Sequence, residues 1–504
     1  MSAIKQLAGQ TILYGASTIA GRLLNYLLVF IHTRVFLPEE YGVVGKLYGY
    51  IAFFNVLYSY GMETAFFRFS SRYNEEGKDA RIPFRLATTA ILISSCIFSL
   101  VIALGAEEIA AWVGYPNRSQ LVIWISLILF IDAISAIPFA KLRIDNKPVT
   151  FAIAKLGAIG ITIFLNVFFL VWLPDLDTAL APLTALQQMD LGAGYVFLAN
   201  LLGNAFIPLL LWQTFAQFRP MFEWAQLKSM LAYSWPILVT GLAGMVNEQL
   251  DLLLFEGLLP RNFYASQSSS EALGVYHANK KLSVLMMLAI QAFRYAGEPF
   301  FFNRASDKNA PALFARVLHY FVLFSLVIFV GIGVNVNWVG ALFLKQEAYL
   351  QALYIVPVLL LGKLFFGVYV NLSVWFKLTD NTIWGTYITG IGAAVTILGN
   401  IALVPYLGYL GAAMASAACY FIMAVVCYYS GRRFMRIPYQ FTPLLGYTVL
   451  ALILVLVSFR LSFREPLVNY FIQGGLTLGF VLLIGIKEFL PELRGPDKHA
   501  SKDH

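Results

Sequence analysis

Long apolar runs alternate with short polar stretches from one end of the chain to the other, and the period-two alternation of half-buried strands is absent. Each run is about 20 residues or longer, the length a helix needs to cross a hydrocarbon core of about 30 Å. Fourteen such runs are predicted, with approximate limits 11–35, 42–67, 84–106, 119–140, 149–173, 192–216, 228–257, 272–302, 312–338, 348–376, 382–404, 408–430, 441–459 and 466–487. The expected fold class is therefore all-α, a polytopic membrane protein with about 14 transmembrane helices. Both the lengths and the missing alternation argue against an outer-membrane barrel.

Composition narrows the class further. Of 504 residues, 59% are hydrophobic and 12% charged, where soluble chains carry about 45–50% and about 25%. So few charges cannot clothe a soluble surface of this size, and so apolar a chain is not disordered. Cys96, Cys419 and Cys427 are too few for a disulfide scaffold. All three lie in apolar runs, where they are expected to act as small buried hydrophobes. The segment before the first run lacks a basic n-region and a cleavage site, so that run is expected to stay in the mature protein.

A net charge of +8 raises the question of nucleic acid, and the placement of the basic residues answers it. Sorted by loop, 22 of the 35 Lys and Arg fall on one side of the expected spans, 5 on the other and 8 within them. That asymmetry is topological: it places the N-terminus in the cytoplasm, and an even number of spans returns residues 491–504 there as a short disordered tail. No nucleic-acid partner is expected. The longest external loops, near 174–191 and 260–271, are too short for a folded catalytic domain. This weighs against an integral-membrane glycosyltransferase or polymerase.

The chain also matches itself. Tyr60, Glu63, Phe66 and Phe67 recur as Tyr295, Glu298, Phe301 and Phe302, at an offset of 235. The same offset relates Lys46 to Lys281, Arg81 to Arg316, and Asp145-Asn146 to Asp380-Asn381. Asn25, Leu37 and Pro38 match Asn247, Leu259 and Pro260 at a smaller offset, because the Ser266–Ser270 loop is longer. Six spans separate the copies, so both enter the membrane in the same direction and are expected to be related by an axis along the bilayer normal. The predicted units are an N-lobe over 1–220, a C-lobe over 221–436, two extra spans over 437–490 and the tail.

Six plus six plus two helices, Pro38-Glu39-Glu40-Tyr41-Gly42 opening span two and Gly61-Met62-Glu63-Thr64-Ala65-Phe66-Phe67-Arg68-Phe69 closing it, resemble the polysaccharide-transporter flippases. These are a branch of the multidrug/oligosaccharidyl-lipid/polysaccharide exporter superfamily, and the resemblance covers nearly the whole chain. It implies a flippase of the bacterial inner membrane, not an enzyme. Its cargo would be a polyprenyl-diphosphate-linked oligosaccharide, moved from the cytoplasmic to the periplasmic leaflet. The implied partners are that lipid, the membrane itself and polysaccharide polymerase machinery. Two relatives stay open: a lipid II flippase, whose span-one Arg-Asp pair appears here as Leu28-Val29, and a cation-coupled drug exporter, in which a basic span one would be unusual.

Ionisable residues at mid-bilayer cost about 2.5–3.5 kcal/mol each on insertion scales, so those within spans need reasons. The basic ones are Arg22 and Arg34 in span one, Lys46 in span two, Lys155 in span five, Lys280, Lys281 and Arg294 in span eight, and Lys363 in span ten. In the resembling family spans one, two, seven and eight form the central cleft, which makes these residues candidates for holding a diphosphate, bidentately through Arg and as point charges through Lys. Lys46 and Lys281 occupy equivalent repeat positions, one per lobe, at similar expected depth. His277, four residues before Lys281, shares its face. The bland alternative has Arg34, Lys46 and Lys363 snorkelling from span ends and Arg294 pairing with Glu298.

Acidic residues within spans are Glu63 and Glu298, Asp132, and Glu248, Asp251 and Glu256. Glu248 and Asp251 share a helix face beside Asn247, an oxygen-rich patch suited to a coupling Na⁺ or proton, or else to balancing Lys280 and Lys281. No H-E-x-x-H or phosphate-binding G-x-x-x-x-G-K-[ST] loop occurs, so no metal, cofactor or nucleotide hydrolysis is expected. Alternating access is expected, with flexible points at Pro236 and Pro357.

Overall fold

A computed structural model describes residues 2–79, 81–176, 181–189, 191–304, 307, 309–461 and 466–489. The expected tail, the basic residues beyond 490 and the Glu298 side chain lie outside the described residues. Twenty-two α-helices follow one another, with short 3₁₀ and π turns between some of them and no strand among the described residues. In the first half these are α1 (Ser2–Val35), α2 (Pro38–Ser59), α3 (Met62–Glu75), α4 (Arg81–Leu104), α5 (Ala106–Val113), α6 (Ser119–Ile144), α7 (Pro148–Val167), α8 (Ala181–Gln188), α9 (Gly194–Leu210) and α10 (Trp212–Phe215). The second half holds α11 (Trp224–Leu258), α12 (Ser269–Leu282), α13 (Val284–Arg304), α14 (Ala310–Val334), α15 (Val336–Phe343), α16 (Glu347–Leu350), α17 (Val356–Leu372), α18 (Val374–Leu378), α19 (Ile383–Leu407) and α20 (Tyr409–Phe434). Helices α21 (Phe441–Arg460) and α22 (Pro466–Ile484) complete the chain.

Ten helical segments among the described residues are long and apolar enough to cross a membrane. They coincide with expected spans three to five, seven and nine to fourteen. The remaining four expectations fall on α1, on α2, on the 17-residue α9 and on α12 with α13. Span two is shorter than predicted. Tyr60 and Gly61 both take left-handed backbone, with φ of 32° and 73°, and this ends α2 some seven residues before the expected limit. Gly61 suits the position because a Cβ there would meet the Ser234 carbonyl of α11 at 2.9 Å. Beyond the break α3 runs as an amphipathic helix, burying Met62, Ala65, Phe66, Ser70 and Tyr73 along one stripe. Span eight breaks at Ser283, whose hydroxyl turns back to the Lys280 carbonyl at 2.7 Å.

Packing partners recur between the halves. Helix α1 packs on α7, α7 on α9, α9 on α6, and α6 on both α4 and α2. In the second half α11 packs on α19, α19 on α20, α20 on α17, and α17 on α14 and α12. The non-helical connectors at 219–223 and 435–440 fall beside the predicted unit boundaries. Helices α21 and α22 both lean on α14. The two turns that the repeat relates each hold a left-handed polar residue, Asn146 (φ 52°) and Asp380 (φ 56°), in keeping with a turn role.

The halves meet chiefly where α2 crosses α12. Gly42 and Gly274 let the two backbones touch: a Cβ on Gly274 would collide with the Pro38 carbonyl, and one on Gly42 would lie 2.7 Å from that of Ser270. Around this seam the Tyr349 hydroxyl donates to the Phe36 carbonyl at 2.7 Å, and Thr33 donates to that of Phe343 at 2.9 Å. These contacts join the halves at the end expected to face outward. At the opposite end α3 packs on α11, with the Arg68 guanidinium 4.3 Å from the Tyr233 ring centre.

Three local expectations need correction. Pro357 opens α17 within its first turn and so starts a helix, where its missing N–H costs nothing, while Pro236 does lie inside α11. Cys419 and Cys427 are buried as expected, but Cys96 is exposed, because the face of α4 carrying Ile93, Ile97 and Leu100 points away from the bundle. Lys46 and Lys281 are not at matching distances from their helix starts. Ser268 and Glu271 form a capping box that begins α12 about a turn earlier than the repeat would place it.

Candidate functional site

The charged residues of spans seven and eight face one another across α11 and α12. Lys280 Nζ lies 2.7 and 2.8 Å from the two carboxylate oxygens of Asp251 and donates to the Glu248 backbone carbonyl at 2.6 Å. Asp251 also accepts from the Tyr276 hydroxyl at 2.6 Å and from the Leu252 N–H at 2.9 Å. It is only 4% exposed, so this is a buried pair whose hydrogen-bonding capacity is well filled. Glu248 instead turns its side chain toward α17, where Lys363 Nζ is 3.8 Å away and sits 5.3 Å from the Tyr420 ring centre.

Lys363 is 5% exposed. It does not snorkel, because α17 sits inside the bundle between α14 and α20 and offers its side chain no route to water. Lys46 is likewise buried: it pairs with Glu256 at 2.7 Å and donates to the Val113 carbonyl at 2.8 Å. Lys46 is thus locked to Glu256 of α11, whereas Lys363 stands in looser ion-pair contact with Glu248 of the same helix.

His277, His32 and Tyr41 pack together in the α1–α2–α12 seam, with Tyr41 ring centres 5.0 Å from His277 and 6.1 Å from His32. His32 Nε2 meets the Asn166 side-chain oxygen at 3.0 Å, whereas His277 Nδ1 is buried without a hydrogen-bond partner. Half-buried Lys281 lies near enough for its charge to act on both imidazoles. Across the bundle Arg22 is exposed on α1, and Lys155 of α7 stands within reach of its charge, 5.5 Å from the Phe151 ring centre. Among the described residues, no carboxylate lies within ion-pair distance of Arg22, Lys155 or Lys281.

Arg34 is exposed at the end expected to face outward, where its carbonyl accepts from Gln346 at 3.2 Å. Arg294 lines a cavity of about 460 Å³ in the second half, together with Asn247, Glu248, Tyr369, Lys377 and Tyr420. Its expected pairing with Glu298 falls on a side chain outside the described residues. The predicted residues therefore divide into a locked set (Lys46, Asp251, Lys280), a cationic set (Arg22, Lys155, Lys281, with His277 beside it) and a cavity set (Glu248, Arg294), with Arg34 apart. Sequence reasoning missed Lys377, Tyr369 and Tyr420 in the cavity wall. Lys377 sits at a span end and the tyrosines are two among 27, so neither carried a signal of its own.

Fold and interior together define a multi-pass, all-helical membrane protein. Its fold is shared with the lipid II flippase MurJ in its inward closed conformation, at TM-score 0.70 and 16% identity over 94% of this chain and 99% of that one. It is shared too with an inward-facing multidrug resistance MATE transporter of the MOP superfamily, at TM-score 0.62 and 14% identity over 86% of this chain and 97% of that one. A Vibrio cholerae MATE transporter follows at TM-score 0.58 and 14% identity, over 87% and 99%. A family model described as polysaccharide biosynthesis protein matches residues 31–346, and the chain belongs to that family. Comparison with curated protein sequences found no match.

Proposed function

We propose that this protein is a flippase that carries a polyprenyl-diphosphate-linked oligosaccharide across a bacterial inner membrane by alternating access. The observation that carries this reading is the set of intramembrane cations, Arg22, Lys155 and Lys281, with no carboxylate at ion-pair distance among the described residues while Lys46, Lys280 and Lys363 each have one. Intramembrane cations with no carboxylate at ion-pair distance suit an anionic cargo, and a diphosphate offers the acceptor oxygens that Arg and Lys bind best. Membership of the polysaccharide biosynthesis family and the named activity of the MurJ neighbour support a lipid-linked saccharide as that cargo.

In this reading the lobes 1–220 and 221–436 rock about the α2–α12 and α3–α11 contacts while the polyprenyl tail stays in lipid. Both termini face the cytoplasm, and no bond is made or broken. The carboxylates of α11 serve to hold lysines in register. Mass spectrometry of lipids retained by the gently extracted protein tests the proposal. A polyprenyl-diphosphate saccharide is expected on the native protein and absent from an Arg22→Ala, Lys281→Ala variant. If both retain only bulk phospholipid while small organic cations bind and raise stability, the drug-exporter reading replaces it.

A further inference from the structure

The intramembrane carboxylates differ in their company. Glu256 has Lys46, Asp251 has Lys280, Glu248 has Lys363 and Glu63 has Arg143. Asp132, halfway along the 26-residue α6 and about 20 Å from either helix end, has no basic group within ion-pair distance among the described residues. Its two oxygens are held by amides from two other helices. Asn204 Nδ2 of α9 donates to Oδ1 at 2.8 Å, and Asn55 Nδ2 of α2 approaches Oδ2 at 3.5 Å. The ionisable groups facing it are Tyr48 of α2, whose hydroxyl accepts from Asn200 Nδ2 at 2.9 Å, and Lys155 of α7, whose charge reaches it from beyond contact distance. On α4 the mid-helix ionisable residue is Cys96, which is exposed. The Tyr195 hydroxyl of α9 is engaged elsewhere, on the Leu186 carbonyl.

A carboxylate this deep, given two amide donors and no resident cation, is arranged unlike its paired counterparts on α11. Amide N–H groups orient it and lower the cost of its charge without neutralising it, so a neutralising cation must come from solution. The same three helices bring further oxygens into the neighbourhood, the side-chain carbonyls of Asn55, Asn200 and Asn204 and the Tyr48 hydroxyl, which are the ligand type hard cations take. We propose that Asp132 is the centre of a monovalent-cation site in the first half of the protein, binding a proton or Na⁺ and coupling transport to its gradient. The proposal rests on the transport reading above. It places ion exchange on α6 and leaves Glu248 and Asp251 as partners of lysines. Because Lys155 belongs both to the field at Asp132 and to the cationic set offered to the cargo, cation and cargo binding are linked, and each alters the affinity of the other.

The test has a transport arm and a binding arm, both on the full chain. In liposomes, flipping of a polyprenyl-diphosphate saccharide is measured under an imposed pH gradient or Na⁺ gradient. One gradient is expected to accelerate the wild type, Asp132→Asn to lose that acceleration by about tenfold or more, and Glu248→Gln to keep it. Asp132→Glu should restore part of it. Gradient dependence that survives in Asp132→Asn overturns the proposal. In detergent, the thermal midpoint is followed against pH at fixed Na⁺, and against NaCl with choline chloride as control. The wild type should respond to one of them and Asp132→Asn to neither, and a wild type that responds to neither overturns the site. Should Asp132→Asn not fold, Asn204→Ala keeps the carboxylate and removes a donor, and must move the midpoint of the response. A cation response centred on Asp132 in a protein that retains no lipid-linked saccharide would leave this site standing and bring down the flippase reading alone.

Discussion

Lys280 and Lys281 are neighbours in sequence with opposite fates. Successive positions on a helix point about 100° apart, so Lys280 meets Asp251 while Lys281 turns toward His277 and His32. Removing Lys280 strands a carboxylate that is 4% exposed. Lys280→Ala should therefore destabilise the protein by about 3–5 kcal/mol. A Lys280→Met, Asp251→Leu double variant, with neither charge present, should lose much less, and thermal unfolding in detergent compares the two. Sequence reasoning flagged both lysines from the cost of a mid-membrane charge. It left open whether α11 supplied a coupling site or charge balance, because pairing depends on the rotation of α12 against α11, which no periodicity encodes. Lys46 and Lys363 show the same limit: depth along a span suggested snorkelling, and neighbouring helices buried them.

At the scale of elements, the α2–α12 crossing joins the halves at the end expected to face outward. Gly42 and Gly274 permit backbone contact, and a larger residue at either position must part the helices. Gly274→Leu is expected to open this seam. In a cysteine-free background, a cysteine replacing Tyr41, which is 1% exposed, should react with a membrane-impermeant maleimide when Gly274→Leu is present and stay protected when it is not. Equal protection in both would show that the seam is not held by this contact. The positions of the long helices were legible from hydropathy. The break at Tyr60–Gly61 was not, since a window average over apolar residues is blind to a change in φ, and the contact that favours the break lies on α11, far away in sequence.

For the whole molecule, the proposed diphosphate cargo, of charge about −2, gains roughly 4.6 kcal/mol per 100 mV of inside-negative potential on moving outward. Flipping in liposomes should accelerate when a K⁺ gradient with valinomycin sets that polarity and slow when it is reversed. A rate indifferent to potential would mean that the headgroup crosses with its charge compensated. Helices α21 and α22 pack on α14, so they can stay with one half while the halves move.

Composition, span length and the distribution of basic residues were enough to determine an all-helical membrane protein, because the bilayer imposes length and polarity on each segment separately. The internal offset of 235 already pointed to related halves, and the same helices pack on one another in each. What only the tertiary structure decided is which charges neutralise each other. Ion pairing acts over a few ångströms between side chains distant in sequence, as in Lys46 with Glu256 and Lys280 with Asp251. Arg22, Lys155 and Lys281 were candidates from the sequence alone and are set apart from the other cations by those pairs, whereas Asp132 becomes a candidate for transport only once the pairs are known.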